Sequence, residues 1–142
     1  MEQGNRARRL AINEVKAILE ASKIFQKVEI GNLRPLSSED TFPSAYIIVD
    51  GTTARLNGNF GVAVGCEYDM FLDVRIIINM EVSDPLDFMD MESDVVYFLL
   101  RDSLLWNYVL DRDYIGSGWD NDGYYPKKQG ELGFSIKFRS EV

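Results

Sequence analysis

Histidine is absent from this chain, and cysteine occurs once, at Cys66. The first absence excludes Ser-His-Asp and Cys-His nucleophile systems, His-ligated zinc and the usual general base. The second excludes an internal disulfide and a thiolate zinc site. Bases are also scarce: 15 Lys and Arg stand against 23 Asp and Glu, for a net charge of −8. Affinity for nucleic acid is built on clustered Lys and Arg, so no sequence-specific nucleic-acid binding is expected. A partner for a basic protein, or a DNA mimic, stays open. No apolar run approaches the roughly 18 residues of a membrane helix. Met1 to Arg6 carries no apolar segment of the secretory type, so the expected compartment is a reducing cytoplasm. Gly58, Gly61 and Gly65 fit neither a dinucleotide fingerprint nor a phosphate loop. Internal repeats and low-complexity tracts are missing too.

What is present is a globular composition: 142 residues, 46% of them apolar. That is enough for a core, and residues 1–142 are expected to form a single α+β domain. The stretch that organises the chain runs from Val62 to Val82. Every even position in it is apolar, while the odd positions are mostly small or charged, with Phe71 and Ile77 as the exceptions. Alternate side chains of a strand point to opposite faces, so this reads as a sheet segment with one buried and one wetter face. Fully extended it would reach roughly 70 Å, whereas a compact domain of this length has a radius of gyration of about 14 Å. It must therefore bend, fold as a hairpin or leave the body, with Gly61 and Gly65 as the expected bulges and Asn57-Gly58 as a turn. Cys66 falls on its apolar side and is expected to be buried and inert.

Residues 5–22 have a helical period, with Ala7, Ala11, Val15, Ile18 and Ser22 inward. Arg6, Arg8 and Arg9 make a basic patch near the helix start, readable as a solvated turn or as a docking point for an acidic neighbour. Ile24 to Ile30 reads as a short strand, residues 33–43 as a long loop, and Ala45 to Val49 as a strand buried on both faces, which Thr52–Arg55 either extends or turns back. Asp84 as cap and Pro85 at the first position open a second helix expected to run to about Asn107. Its inward side is read as Phe88, Met89, Val95, Val96, Leu99, Leu100 and Trp106. Glu92 falls on that apolar side. Phe98 and Leu105 fall near the polar one, giving more apolar surface than one sheet covers. Residues 111–130 read as loop. Glu131 to Ser140 alternates as a closing strand, with Lys137 and Arg139 placed to meet Glu81 and Asp73 across the sheet. The expected fold is a mixed, mainly antiparallel sheet with two helices on one face and a long hairpin.

Carboxylates are the remaining catalytic currency. Asp84, Asp87, Asp90, Glu92 and Asp94 follow from helix-dipole and solvation preferences. Asp120-Asn121-Asp122-Gly123 lacks the flanking ligands of a calcium loop, and Asp111 with Asp113 is a spacing common by chance. No nucleophile is paired with a base, so no catalysis, metal or cofactor is expected. Trp119, Tyr124 and Tyr125 suit either core packing or an interface. The expected interface residues are Phe71, Ile77, Phe98, Leu105, Trp119, Tyr124 and Tyr125.

The order of elements resembles that of a known family. A helix, a short strand and a polar loop lead to Pro43-Ser44-Ala45-Tyr46-Ile47-Ile48-Val49. A long alternating strand follows and runs into an Asp-Pro helix ending in Asp102-Ser103-Leu104-Leu105. A loop and a final alternating strand close the chain. This resembles the tail terminator and tail-completion proteins of long-tailed bacteriophages, with the related neck and minor tail proteins. The resemblance implies an α+β virion subunit, assembled in the bacterial cytoplasm. Such subunits form a ring, usually six-fold, that ends the tail tube and meets the head connector. It implies no catalysis, cofactor or membrane. Ring closure requires two different patches per subunit. An acidic surplus would suit a bore that passes DNA without holding it. The alternative reading is a monomeric acidic binding module of the inhibitor or immunity type.

Overall fold

The computed structural model describes residues 3–31, 42–56, 68–120 and 127–139. Two helices and five strands follow in chain order: α1 (Gln3–Ala21), β1 (Lys27–Ile30), β2 (Ser44–Leu56), β3 (Tyr68–Glu81), α2 (Asp87–Leu100), β4 (Val109–Trp119) and β5 (Lys127–Phe138). Among the described residues the strands form one five-stranded sheet in the order β1-β2-β3-β5-β4. β1 runs parallel to β2, and the other pairs are antiparallel. The fold is therefore α+β with a mainly antiparallel mixed sheet, as the patterning predicts.

β3 is the central strand, and its period of two decides the faces. Leu72, Val74, Ile76 and Ile78 join one buried cluster with Ala7, Ala11, Val15, Ile18 and Leu19 of α1 and Val95 and Leu99 of α2. Both helices therefore cover the same face of the sheet. Leu132, Phe134 and Ile136 of β5 lie beside Ile76, Val74 and Leu72 in register and enter the same cluster. Ala7, Ala11, Val15 and Ile18 of α1 are inward as its period predicts, with Ile12 and Leu19 added, while Ser22 lies past the helix end and is only partly buried.

β2 and β3 form a long hairpin, paired from Ser44↔Asn79 to Leu56↔Tyr68. Thr52–Arg55 thus extends β2. Asp50 is an extra residue in that ladder, between Val49 and Gly51. This bulge keeps Thr52 opposite Leu72, so the apolar-facing register survives along the whole pair. Asn57-Gly58, Gly61, Gly65 and Cys66 lie outside the described residues, as do most of the 33–43 loop and the Tyr124-Tyr125 pair.

Five expectations need correction. The first strand is confined to Lys27–Ile30, because Gln26 donates its N–H to the Pro43 carbonyl only where β2 begins. Residues 45–49 are not buried on both faces throughout, since Val49 is exposed. α2 opens at Asp87 rather than at a cap by Asp84. Asp84 Oδ1 closes the preceding turn by accepting from the Leu86 N–H, while Asp87 Oδ2 accepts from the N–H groups of Ser83 and Asp84. Those backbone bonds, Asp84 first, hold the Asp87 carboxyl below its ordinary range. α2 also stops at Leu100, well short of Asn107. Arg112 of β4 donates Nε to the Leu99 carbonyl and Nη2 to those of Leu100 and Arg101, and so takes the helix's last acceptors.

The fifth correction concerns residues 111–130. Most of the supposed loop is strand: β4 pairs with β5 from Val109↔Phe138 to Trp119↔Gly130, and β5 itself begins at Lys127. Charge pairing across the sheet also differs in detail. Lys137 lies 3.4 Å from Asp69, and Glu81 is in register with Lys127.

Candidate functional site

The polar side chains that the fold gathers first are structural in arrangement. Glu92 points from α2 toward β4, and its Oε1 accepts from Trp119 Nε1 at 2.9 Å. Burial raises the pKa of this carboxyl, but hydrogen bonds from Ser117, Trp119 and Tyr114 outweigh it and hold the group below its ordinary range. The Tyr114 hydroxyl is pushed up, chiefly by burial, with the nearby Glu92 charge adding to it. Trp119 in turn lies against Phe88, with ring centroids 5.3 Å apart, and directly over Gly130, where a Cβ would collide with the indole. This arrangement fastens α2 to β4.

A second set lies on the face without helices. Arg75 Nε donates to both carboxylate oxygens of Asp50 at 3.1 and 2.9 Å, and its Nη1 donates to Glu131 Oε2 at 3.0 Å. The side-chain bonds to Asp50 and then Glu131 raise the Arg75 pKa. Salt links of this exposed kind contribute little individually. A third tie is Glu14 of α1. Its carboxylate accepts the N–H groups of Asn107, Tyr108 and Val109 at 2.8–3.0 Å. Each carboxylate here is engaged with backbone, indole, hydroxyl or guanidinium. Among the described residues no cluster of three or more His, Cys, Asp or Glu is placed to hold a metal. Asp120 spends its Oδ1 on the Gln129 N–H. No described helix is long and apolar enough to cross a membrane.

The feature that stands out among the described residues is a surface of α2. The inward side of α2 is Phe88, Met91, Glu92, Val95, Phe98 and Leu99, a run at three- and four-residue steps. The expected face included Met89 and Leu100 instead, and both are exposed. The true stripe lies slightly round the helix because Glu92 belongs to it. Opposite runs a second stripe, Leu86, Met89, Ser93, Tyr97 and Leu100, and Leu104 is exposed in the turn beyond the helix. Met89 is 53%, Tyr97 58% and Leu104 103% exposed. The same helical spacing that marks a core face marks this one, and only burial tells them apart.

The expected interface residues fall in different places. Leu105 is exposed next to Leu104, in the turn that follows α2. Phe98 packs partly buried against the core, with the Arg101 guanidinium 4.6 Å from its ring centroid. Trp119 is in the α2–β4 contact. Phe71 and Ile77 share the helix-free face, Phe71 under the Arg55 guanidinium and Ile77 only 4% exposed. Tyr124 and Tyr125 lie outside the described residues.

Across the sheet, the N-terminal half of α1 overhangs β1 and β2 and leaves a groove of about 390 Å³. Ile12, Ile30, Val49 and Leu72 line it with Arg8, Arg9 and Asn13. The basic patch read from the sequence is thus the rim of an apolar depression. Two bulged residues of β4, Leu110 and Ile115, are exposed as well.

No protein-family model matches the chain, and neither does any curated protein. Among solved structures, a chain of the virion of a native gene transfer agent particle is similar at 10% identity with a TM-score of 0.46. That alignment covers 87% of this chain and 83% of the other.

Proposed function

We propose that this chain is a structural subunit of a virion that assembles with copies of itself into a ring. The finer reading is a ring, six-fold by resemblance, that ends a phage tail tube and joins it to the head connector. The observation that carries the proposal is the outer stripe of α2. Leu86, Met89, Tyr97 and Leu100 are exposed along one side of α2, and Leu104 and Leu105 are exposed in the turn that follows it. A contiguous apolar ridge of this kind costs free energy in water and is characteristic of a contact surface. The element order that resembles tail terminators and tail-completion proteins supports the same reading. In it the chain carries no catalytic step and no cofactor; its partners are its own copies, the tail tube and the connector.

Electron microscopy of the concentrated protein is the direct test of ring closure. Closed particles with a central hole support the proposal, and a field without them at every concentration contradicts it.

One observation favours a second reading. Between Asp87 and Leu100, α2 carries Asp87, Asp90 and Asp94 away from the sheet and no base. An acidic face of this kind also fits a monomeric module that covers a basic partner. That reading expects a free chain that never self-associates and a one-to-one complex.

A further inference from the structure

We infer that the ring contact is head-to-tail, with the outer stripe of α2 from one copy seated in the α1–β1–β2 groove of the next. This rests on the ring reading and names the surfaces it uses. Three features point to this pairing. The first is position. The groove is lined from α1, β1 and β2, with Leu72 of the central β3 among its residues, whereas α2 packs against α1 and against β4 at the far edge of the sheet. The outer stripe of α2 and the groove are different surfaces of the chain, so successive copies can pair one with the other. Two different patches per subunit are what a heterologous, ring-closing contact needs.

The second is charge. From Gln3 to Asn13 the only charged residues of α1 are Arg6, Arg8 and Arg9. Along α2, exposed Asp90 and Asp94 flank the apolar stripe, and a base enters only past the helix end at Arg101. The Arg101 guanidinium lies over the rings of Tyr97 and Phe98 on its own chain. Basic rim and acidic ridge attract, while groove against groove or ridge against ridge would repel, so charge favours the head-to-tail pairing over either symmetric one.

The third is apolar match. Ile30 and Val49 are exposed in the groove, and Met89, Tyr97 and Leu104 are exposed on the ridge. Each surface is an apolar strip edged by charge: Arg8 and Arg9 at the groove, and Asp90 and Asp94 along the ridge with Arg101 over Tyr97 near its end, the arrangement of a contact with an apolar centre and a polar rim.

Two variants test the pairing. The groove variant is Arg9→Glu with Val49→Asp. The ridge variant is Tyr97→Asp with Leu104→Asp. All four positions are exposed, so both chains should fold, and circular dichroism with a urea titration checks that they do. Each variant alone is expected to need at least ten times the wild-type concentration to assemble, as read by light scattering behind a sizing column. An equimolar mixture should then give a species of two chains and nothing larger. The intact ridge of the groove variant meets the intact groove of the ridge variant, and both remaining ends are blocked. If either folded variant assembles like wild type, or if the mixture stays monomeric, the pairing is overturned while the ring stands. If wild type itself never assembles, the ring reading fails and the pairing fails with it.

Discussion

Glu92 shows what a single misplaced residue means. By sequence it is a charge on the apolar side of a helix, an apparent fault. In the structure it is the acceptor for the Trp119 indole N–H. Its carboxyl is held below the ordinary value of 4.5. The charged form therefore stabilises the fold, fully above about pH 4.5 and progressively less as pH falls through the lowered pKa. Glu92→Gln should lower stability at neutral pH and flatten the decline as pH falls below about 4.5. Urea titrations across that range measure it, and parallel curves for variant and wild type would refute the assignment. Gly130 makes the complementary case. It is bare because Trp119 lies across it, and an alanine methyl would collide with the ring. Gly130→Ala should cost about 1–3 kcal/mol by overpacking, read as a lower urea midpoint. Neither role was legible locally, because Glu92, Trp119 and Gly130 meet only once the sheet has formed.

Among the elements, α1, β3 and β5 were readable because each has an undisturbed period. β4 was not, and its bulges explain why. Leu110 and Ile115 are extra residues in its ladder, so Tyr114 and Trp119 share a face of the sheet although five positions separate them. A period-two pattern interrupted in this way has no window long enough to detect. Gly116, at φ +154°, follows the second bulge in a backbone conformation that side chains disfavour, so the glycine that suggested loop belongs to the strand. The end of α2 was illegible for a different reason. Its carbonyls are capped by Arg112, 11 to 13 residues further on, and not by a local glycine. Glu14 works at the same scale, tying α1 to the three N–H groups that lead into β4. Glu14→Ala should cost about 2 kcal/mol. Amide exchange at Asn107, Tyr108 and Val109 should quicken with it, and unchanged exchange there would show that the tie does not hold the segment.

For the whole molecule, the sequence disclosed too much apolar surface but misplaced part of it. Phe98, Ile77 and Trp119 were expected outward, whereas the exposed ridge runs through Met89, Tyr97 and Leu104. Hydrophobicity alone does not separate two apolar stripes of one helix; the stripe that faces the sheet is the one that carries Val95, Leu99 and Glu92, whose partner is Trp119. Net charge acts at this scale too. A basic rim meeting an acidic ridge implies that added salt weakens assembly, because the Debye length falls to about 3 Å at 1 M ionic strength. Apolar contact alone would be unchanged or strengthened by the same salt.

Sedimentation velocity of the wild-type chain, over a wide concentration range at low and high salt, tests the central claim most directly. The account predicts a discrete large species of several chains that grows with concentration at low salt and recedes at high salt. A single species of one chain under every condition would contradict it.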